Sequence, residues 1–164
     1  MLVTMCIDRC SVTPLQSGQI TSVTKPFYFI MQIGDTHHYR YLFTQQEVQI
    51  FATLTGDDNP LHLDSDYAAT TPFKRPIMHG MLSASVFAKV FGRDFGGSGG
   101  VHLSQMLEFV RPMYPDVEYE ARFECKSIDT RRHTAEINCT VIDPATGKTT
   151  LRGIGIVFHK EMFS

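Results

Sequence analysis

Asp57 and His62 have the types and spacing to do chemistry in this 164-residue sequence. They lie in Thr55-Gly56-Asp57-Asp58-Asn59-Pro60-Leu61-His62, with a proline-fixed turn between carboxylate and imidazole. Such a pair can converge on one water: the carboxylate accepts its proton and the imidazole fixes its orientation. A plainer reading is also open. Asp57, Asp58 and Asn59 then only build a helix-ending turn, and His62 is a satisfied polar residue. Turn segments of this composition are common, and spacing does not decide between the two.

A second segment with chemical potential is Pro76-Ile77-Met78-His79-Gly80-Met81. Gly80 stands at the entry to an apolar helix. Backbone N–H groups in a first helical turn lack intrahelical partners and sit at positive dipole potential. A group of that kind can hold the oxygen of a polarised carbonyl or enolate. Glycine allows close approach because it has no side chain. The alternative is that Gly80 only permits a tight turn.

The flanking sequence shows which helices and strands hold these residues. His38 to Phe43 reads as a short strand. Thr44-Gln45-Gln46-Glu47 is a T-x-x-E capping box, and Val48, Phe51, Ala52 and Thr55 follow at helical spacing. Gly56 sits where helices commonly stop, so a helix is predicted over 45–55. Asp64 can cap a short helical turn through Tyr67 and Ala68 that ends before Pro72. Met81 to Phe91 has one charge, Lys89, and is otherwise small or apolar. A helix of that kind is predicted to be buried nearly all round.

After Gly96-Gly97-Ser98-Gly99-Gly100 the period changes to two. Val101, Leu103, Gln105, Leu107 and Phe109 alternate with more polar partners. So do Val117 to Cys125, then Ala135 to Val141, and finally Ile154, Ile156 and Phe158. Regular alternation means one dry face and one wet face, which favours an antiparallel sheet. Turns are predicted at Asp129 to Arg132 and Asp143 to Lys148. One buried helix followed by four long strands predicts an α+β hot-dog fold, a sheet wrapped around a central helix. Residues 1–30 show no sustained period. They are expected to be a loosely attached extension or the product of an upstream start codon, with 31–164 as one domain.

Composition narrows the function. Fifteen Lys and Arg against 17 Asp and Glu give a net charge of -2. General nucleic-acid binding needs a surplus of basic charge, so no nucleic-acid partner is expected. No apolar run approaches the ~20 residues of a bilayer span, so no membrane partner is expected. Cys6, Cys10, Cys125 and Cys139 lack tight metal-site spacing and are expected to be free thiols. With no signal-peptide pattern, this points to a reducing, cytoplasmic location. His37 and His38 would point to opposite faces of a strand, so no metal site is expected there.

Phe51-x3-Thr55-Gly56-Asp57-x-Asn59-Pro60-Leu61-His62 resembles the hydratase-2 motif of the MaoC-like (R)-specific enoyl-CoA hydratases. Pro76 to Met81 resembles the family's second block, and Glu108-Phe109-Val110-Arg111-Pro112 its later strand signature. The resemblance spans roughly Ile33 to His159. One departure is Pro115-Asp116, where relatives often have Gly-Asp.

The resemblance implies that Asp57 and His62 hold and activate water and that the Gly80 N–H polarises a thioester carbonyl. It implies that Asn59 supports the loop. His79 is a candidate for backing the site. The reaction implied is reversible syn addition of water to a trans-2-enoyl thioester, giving the (R)-3-hydroxyacyl thioester, with no metal or redox cofactor. A homodimer is implied as well. The carrier is CoA or acyl carrier protein, and Lys74, Arg75 and Arg111 are candidates to meet its phosphates. Ala84, Phe87, Ala88 and Phe91 share one side of the buried helix. They are either core or acyl-tunnel lining. As lining, Phe91 would close the far end and favour short to medium acyl chains. The rivals are a dehydratase on carrier-protein thioesters, a hot-dog thioesterase, and a non-catalytic domain that binds acyl thioesters.

Overall fold

The computed structural model of the protein describes residues 31–95 and 99–164. The expectation for residues 1–30, with Cys6 and Cys10, lies outside them. The elements run β1 (Thr36–Tyr41), α1 (Gln45–Thr55), α2 (Pro60–Leu63), α3 (Ser65–Thr70), α4 (Gly80–Lys89), β2 (Val101–Phe109), β3 (Tyr119–Asp129), β4 (Thr134–Asp143) and β5 (Lys148–Phe158). Val90–Phe95 prolongs α4 as a wider π-type turn. The strands form one antiparallel sheet in the order β1-β3-β4-β5-β2. This is the predicted hot-dog arrangement, α+β.

Local signals act where they were read. The Thr44 side chain accepts from the Glu47 N–H, and the Glu47 carboxylate accepts from the Thr44 N–H. Gly56 ends α1 at φ 77°, the left-handed region open to glycine. Asp64 accepts from the N–H groups of Asp66 and Tyr67 and so caps α3. Pro115-Asp116 is a turn whose left-handed position falls on Asp116 (φ 60°), so the proline is tolerated.

The core lies between the helix and the sheet. Phe87, Val90 and Phe91 meet Ala121, Phe123, Ile137, Cys139, Leu151 and Val157. Phe123 takes edge-on contacts from Phe87, Phe91 and Phe95. Cys125 and Cys139 are buried free thiols. His37 packs against Phe95 and Phe123, whereas His38 bonds Glu120 on the other face, so the pair does point apart.

Three strand and helix readings need correction. In β5 the buried positions are Thr150, Leu151, Gly155 and Val157, while Ile154, Ile156 and Phe158 take the phase opposite to Leu151, Gly155 and Val157. The reason is Phe91: a Cβ on Gly155 would sit 2.5 Å from its ring. The inward side of β5 is therefore partly glycine, and hydropathy does not mark it. In β2 the pairing shifts between His102 and Ser104. Val101, Leu103, Met106 and Phe109 are all exposed on this edge strand, instead of forming a dry face. Finally, α4 is not buried all round. Met81, Ser85 and Ala88 form an exposed stripe, while Leu82, Ser83, Ala84, Val86 and Phe87 face inward.

Candidate active site

The segment from Gly56 to Gly80 folds back so that its two ends meet. Asn59 caps α2 by accepting the Leu61 N–H at 3.0 Å, and Pro60 takes the first helical position. The one-turn helix α2 thus places His62 three residues after the cap. Through this Oδ1 bond Asn59 holds the turn that leads into α2.

His62 is held from several sides. Its Nδ1 lies 2.7 Å from the carbonyl oxygen of Ile77, its own carbonyl accepts Gln45 Nε2 at 2.9 Å, and the Ile77 N–H donates to Leu61. A carbonyl only accepts, so Nδ1 carries a proton, and in the neutral ring Nε2 is the nitrogen with the lone pair. Gln45 and the Ile77 carbonyl escaped sequence reasoning. Their roles come from chain reversal across 15 residues or more, which leaves no local signature.

His79 backs the pair. Its side chain is 2% exposed and its Nε2–H donates to the Asp57 carbonyl at 2.9 Å. Its ring centroid is 3.9 Å from that of His62 and 5.1 Å from that of Phe51. The Asp57 N–H donates to Thr55 Oγ1, so the backbone of Asp57 is fixed on both sides. Its carboxylate stays 55% exposed. One side-chain donor atom from each of Asp57, His62 and His79 lies within 4.8 Å of the others. The carboxylate and the His62 imidazole therefore converge, as the chemical reading requires. Two acceptors, the Asp57 carboxylate and His62 Nε2, can each take one hydrogen of a single water.

Gly80 is the first residue of α4, and the preceding His79 provides no side-chain cap. The N–H groups that open α4 therefore have no side-chain partner from the cap residue. Gly80, His62 and Ser83 line one cavity of about 350 Å³ together with Phe73, Phe109, Arg111 and Thr150. A Cβ on Gly80 would come 2.9 Å from the Phe109 ring, so Phe109 covers this helix start. Ala84 and Phe91 lie in the core, Ala88 is exposed, and none of the three lines the cavity. The α4 residues that do line it, Gly80 and Ser83, occupy the neighbouring face.

Residues 31–148 match the model of the MaoC like domain. The chain belongs to the MaoC-like domain family. This MaoC-like chain is 41% identical over 98 residues to the (R)-specific enoyl-CoA hydratase of Aeromonas caviae, covering 60% of the chain and 73% of that protein. It is 34% identical over 110 residues to the 3-hydroxybutyryl-CoA dehydratase of Methylorubrum extorquens, covering 67% and 70%. A solved structure of the (R)-hydratase from A. caviae superposes with a TM-score of 0.75 at 34% identity, over 79% of this chain and 97% of the other. Among the described residues, no helix is long and apolar enough to cross a membrane.

Proposed function

We propose that this protein is a lyase that hydrates trans-2-enoyl-CoA reversibly to (R)-3-hydroxyacyl-CoA. The observation that carries the reading is that Asp57 converges with His62, and that His62 shares one cavity with the uncapped Gly80 helix start. Similarity to an (R)-specific enoyl-CoA hydratase and a 3-hydroxybutyryl-CoA dehydratase supports it.

The thioester carbonyl docks at the Gly80 N–H, which draws electron density from C3 and makes it electrophilic. The water held by Asp57 and His62 Nε2 loses a proton to the pair as its oxygen bonds to C3. Negative charge gathers on the thioester oxygen, where the N–H stabilises it; one such donor is commonly worth ~10²–10³ in rate. C2 then takes a proton and the charge returns to the carbonyl. The group that received the water's proton stands on the water's face of the double bond. Returning that proton to C2 gives syn addition. Positioned acid–base groups contribute about 10²–10⁴.

The active unit is a homodimer of domains spanning 31–164. Edge strand β2 exposes Val101, Leu103, Met106 and Phe109, and an apolar edge of that kind is a template for another strand. A second copy pairing β2 with β2 about a two-fold axis would cover it. The exposed stripe Met81, Ser85 and Ala88 of α4 suits the same partner. The carrier is CoA, and with Phe91 in the core it is the small cavity, about 350 Å³, that favours short to medium acyl chains.

Crotonyl-CoA is the test substrate. Loss of enoyl absorbance with (R)-3-hydroxybutyryl-CoA as the product supports the reading, and faster turnover of a C4 than a C12 enoyl-CoA supports the chain-length preference. Thiol release from saturated butyryl-CoA would instead make the protein a thioesterase.

A further inference from the structure

Most strand arginines here are neutralised. Arg40 and Arg122 reach Glu120, Arg152 reaches Glu108, and Lys89 on α4 reaches Asp94. Lys74, Arg75 and Arg111 are different. They are exposed, and none has a carboxylate within ion-pair distance among the described residues. All three belong to the two segments that wall the His62–Gly80 cavity, one contributing Phe73 and the other Phe109 to Met113.

The two guanidinium groups are also held in place. Arg111 Nη1 donates to the Thr149 carbonyl, and the N–H groups of Val110 and Arg111 both donate to Thr150. Arg75 lies over the Tyr114 ring, its Cζ 4.1 Å from the centroid. Tyr114 is anchored in turn, accepting nothing at its N–H but donating it to the Tyr119 hydroxyl at 2.9 Å. Its hydroxyl lies 3.5 Å from the Phe73 carbonyl, which ties the two walls together. Lys74 sits between these anchors in the left-handed region, at φ 66°. Unpaired cations fixed on a cavity rim are preorganised for a multivalent oxyanion, because the planar fork of Arg matches phosphate.

The cavity is small, about 350 Å³, at the low end for a compact ligand. It can take the reactive end of a thioester and cannot also take a nucleotide. The phosphorylated end of the carrier must stay at the mouth. We infer that Arg111 and Arg75, with Lys74, form the subsite that binds the phosphates of CoA and makes the enzyme prefer CoA over carriers without a nucleotide. This rests on the hydratase reading above.

The test compares dissociation constants of unreactive butyryl-CoA and S-butyryl pantetheine, which lacks the phosphates. In wild type butyryl-CoA binds more tightly. The ratio of the two constants should shrink about tenfold in Arg111→Gln and again in Arg75→Gln, as expected for one lost charge-assisted contact each. Arg111→Lys should restore part of it, and added salt should erode it. Because Arg111→Gln also removes a bond to β5, Lys74→Gln/Arg75→Gln serves as the variant that leaves that bond intact. An unchanged ratio in all variants overturns the inference. So does weaker binding of a butyryl-acyl carrier protein with no change toward butyryl-CoA, which would make the rim a protein-docking surface. Turnover of crotonyl-CoA by wild type is read separately. Arginine-dependent CoA binding without hydration would sink the hydratase reading and leave the phosphate subsite standing.

Discussion

His79 donates its Nε2–H to the backbone carbonyl of Asp57, 22 residues earlier, at 2.9 Å. The ring that makes this bond also lies against His62, tilted 32° to it. One buried imidazole therefore sets the position of the carboxylate through its backbone and the tilt of the other imidazole through its face. His79 Nδ1 has no hydrogen-bond partner among the described residues, an arrangement that costs stability and is tolerated where geometry matters.

His79 is accordingly a positioning residue. In His79→Phe, which keeps a flat ring and loses the donor, kcat for crotonyl-CoA should fall about 10–100-fold. KM should change little, because the Gly80 N–H and the cavity walls remain. His79→Gln, which can still donate to Asp57, should recover part of kcat. Steady-state kinetics on both variants checks this, and a fall in KM-linked binding alone would point to a structural role instead.

Gly155 carries a stability prediction. A methyl group there would meet the Phe91 ring at 2.5 Å and Gln105 Oε1 at 2.9 Å. Overpacking of this kind costs about 1–3 kcal/mol. Gly155→Ala should lower the melting temperature by several degrees, and Phe91→Leu in the same chain should restore part of the loss. Thermal unfolding of the single and double variants measures it.

His37 makes stability depend on pH. Burial holds its pKa below the ordinary histidine value, outweighing the nearby Asp94, while Lys89 and His38 push the same way as burial. The unfolded chain then binds more protons than the folded one as pH falls through the range below about 6.5. The stabilising contribution is complete above that value and is lost on acidification. His37→Phe should flatten this part of the profile, read as the difference in melting temperature between pH 7.5 and pH 5.5. A profile identical to wild type would show that His37 does not contribute.

Buried thiols should be silent. Burial pushes the Cys139 thiol up to about 12 and raises Cys125 as well. In a Cys6→Ser/Cys10→Ser variant, a thiol reagent at pH 8 should label nothing until denaturant is added. Stoichiometric labelling of the native variant would contradict the packing described for β3 and β4.

Much of this was legible in the residues because it is local. Thr44 with Glu47, Gly56, and Asp64 each act within a few positions of themselves, so their composition announces the start or end of a helix. Period-two alternation likewise announces β3 and β4. What stayed hidden depends on partners far along the chain. The phase of β5 is set by Phe91 pressing on Gly155, and a glycine has no hydropathy to read. The exposed edge of β2 follows from a bulge and from its place at the end of the sheet. Asp57 and His62 were recognisable as a pair, but the groups that aim them, Ile77, Gln45 and His79, are brought in by tertiary folding.

In the proposed mechanism Asp57 and His62 activate the water. The most direct measurement is kcat for crotonyl-CoA hydration by purified Asp57→Asn and His62→Gln, each with its melting temperature. Asp57 is exposed and its carboxylate caps nothing, so Asp57→Asn should fold with a near-normal melting temperature. Each folded variant should lose about 10²–10⁴ in kcat. Near-normal turnover in either one would contradict that mechanism.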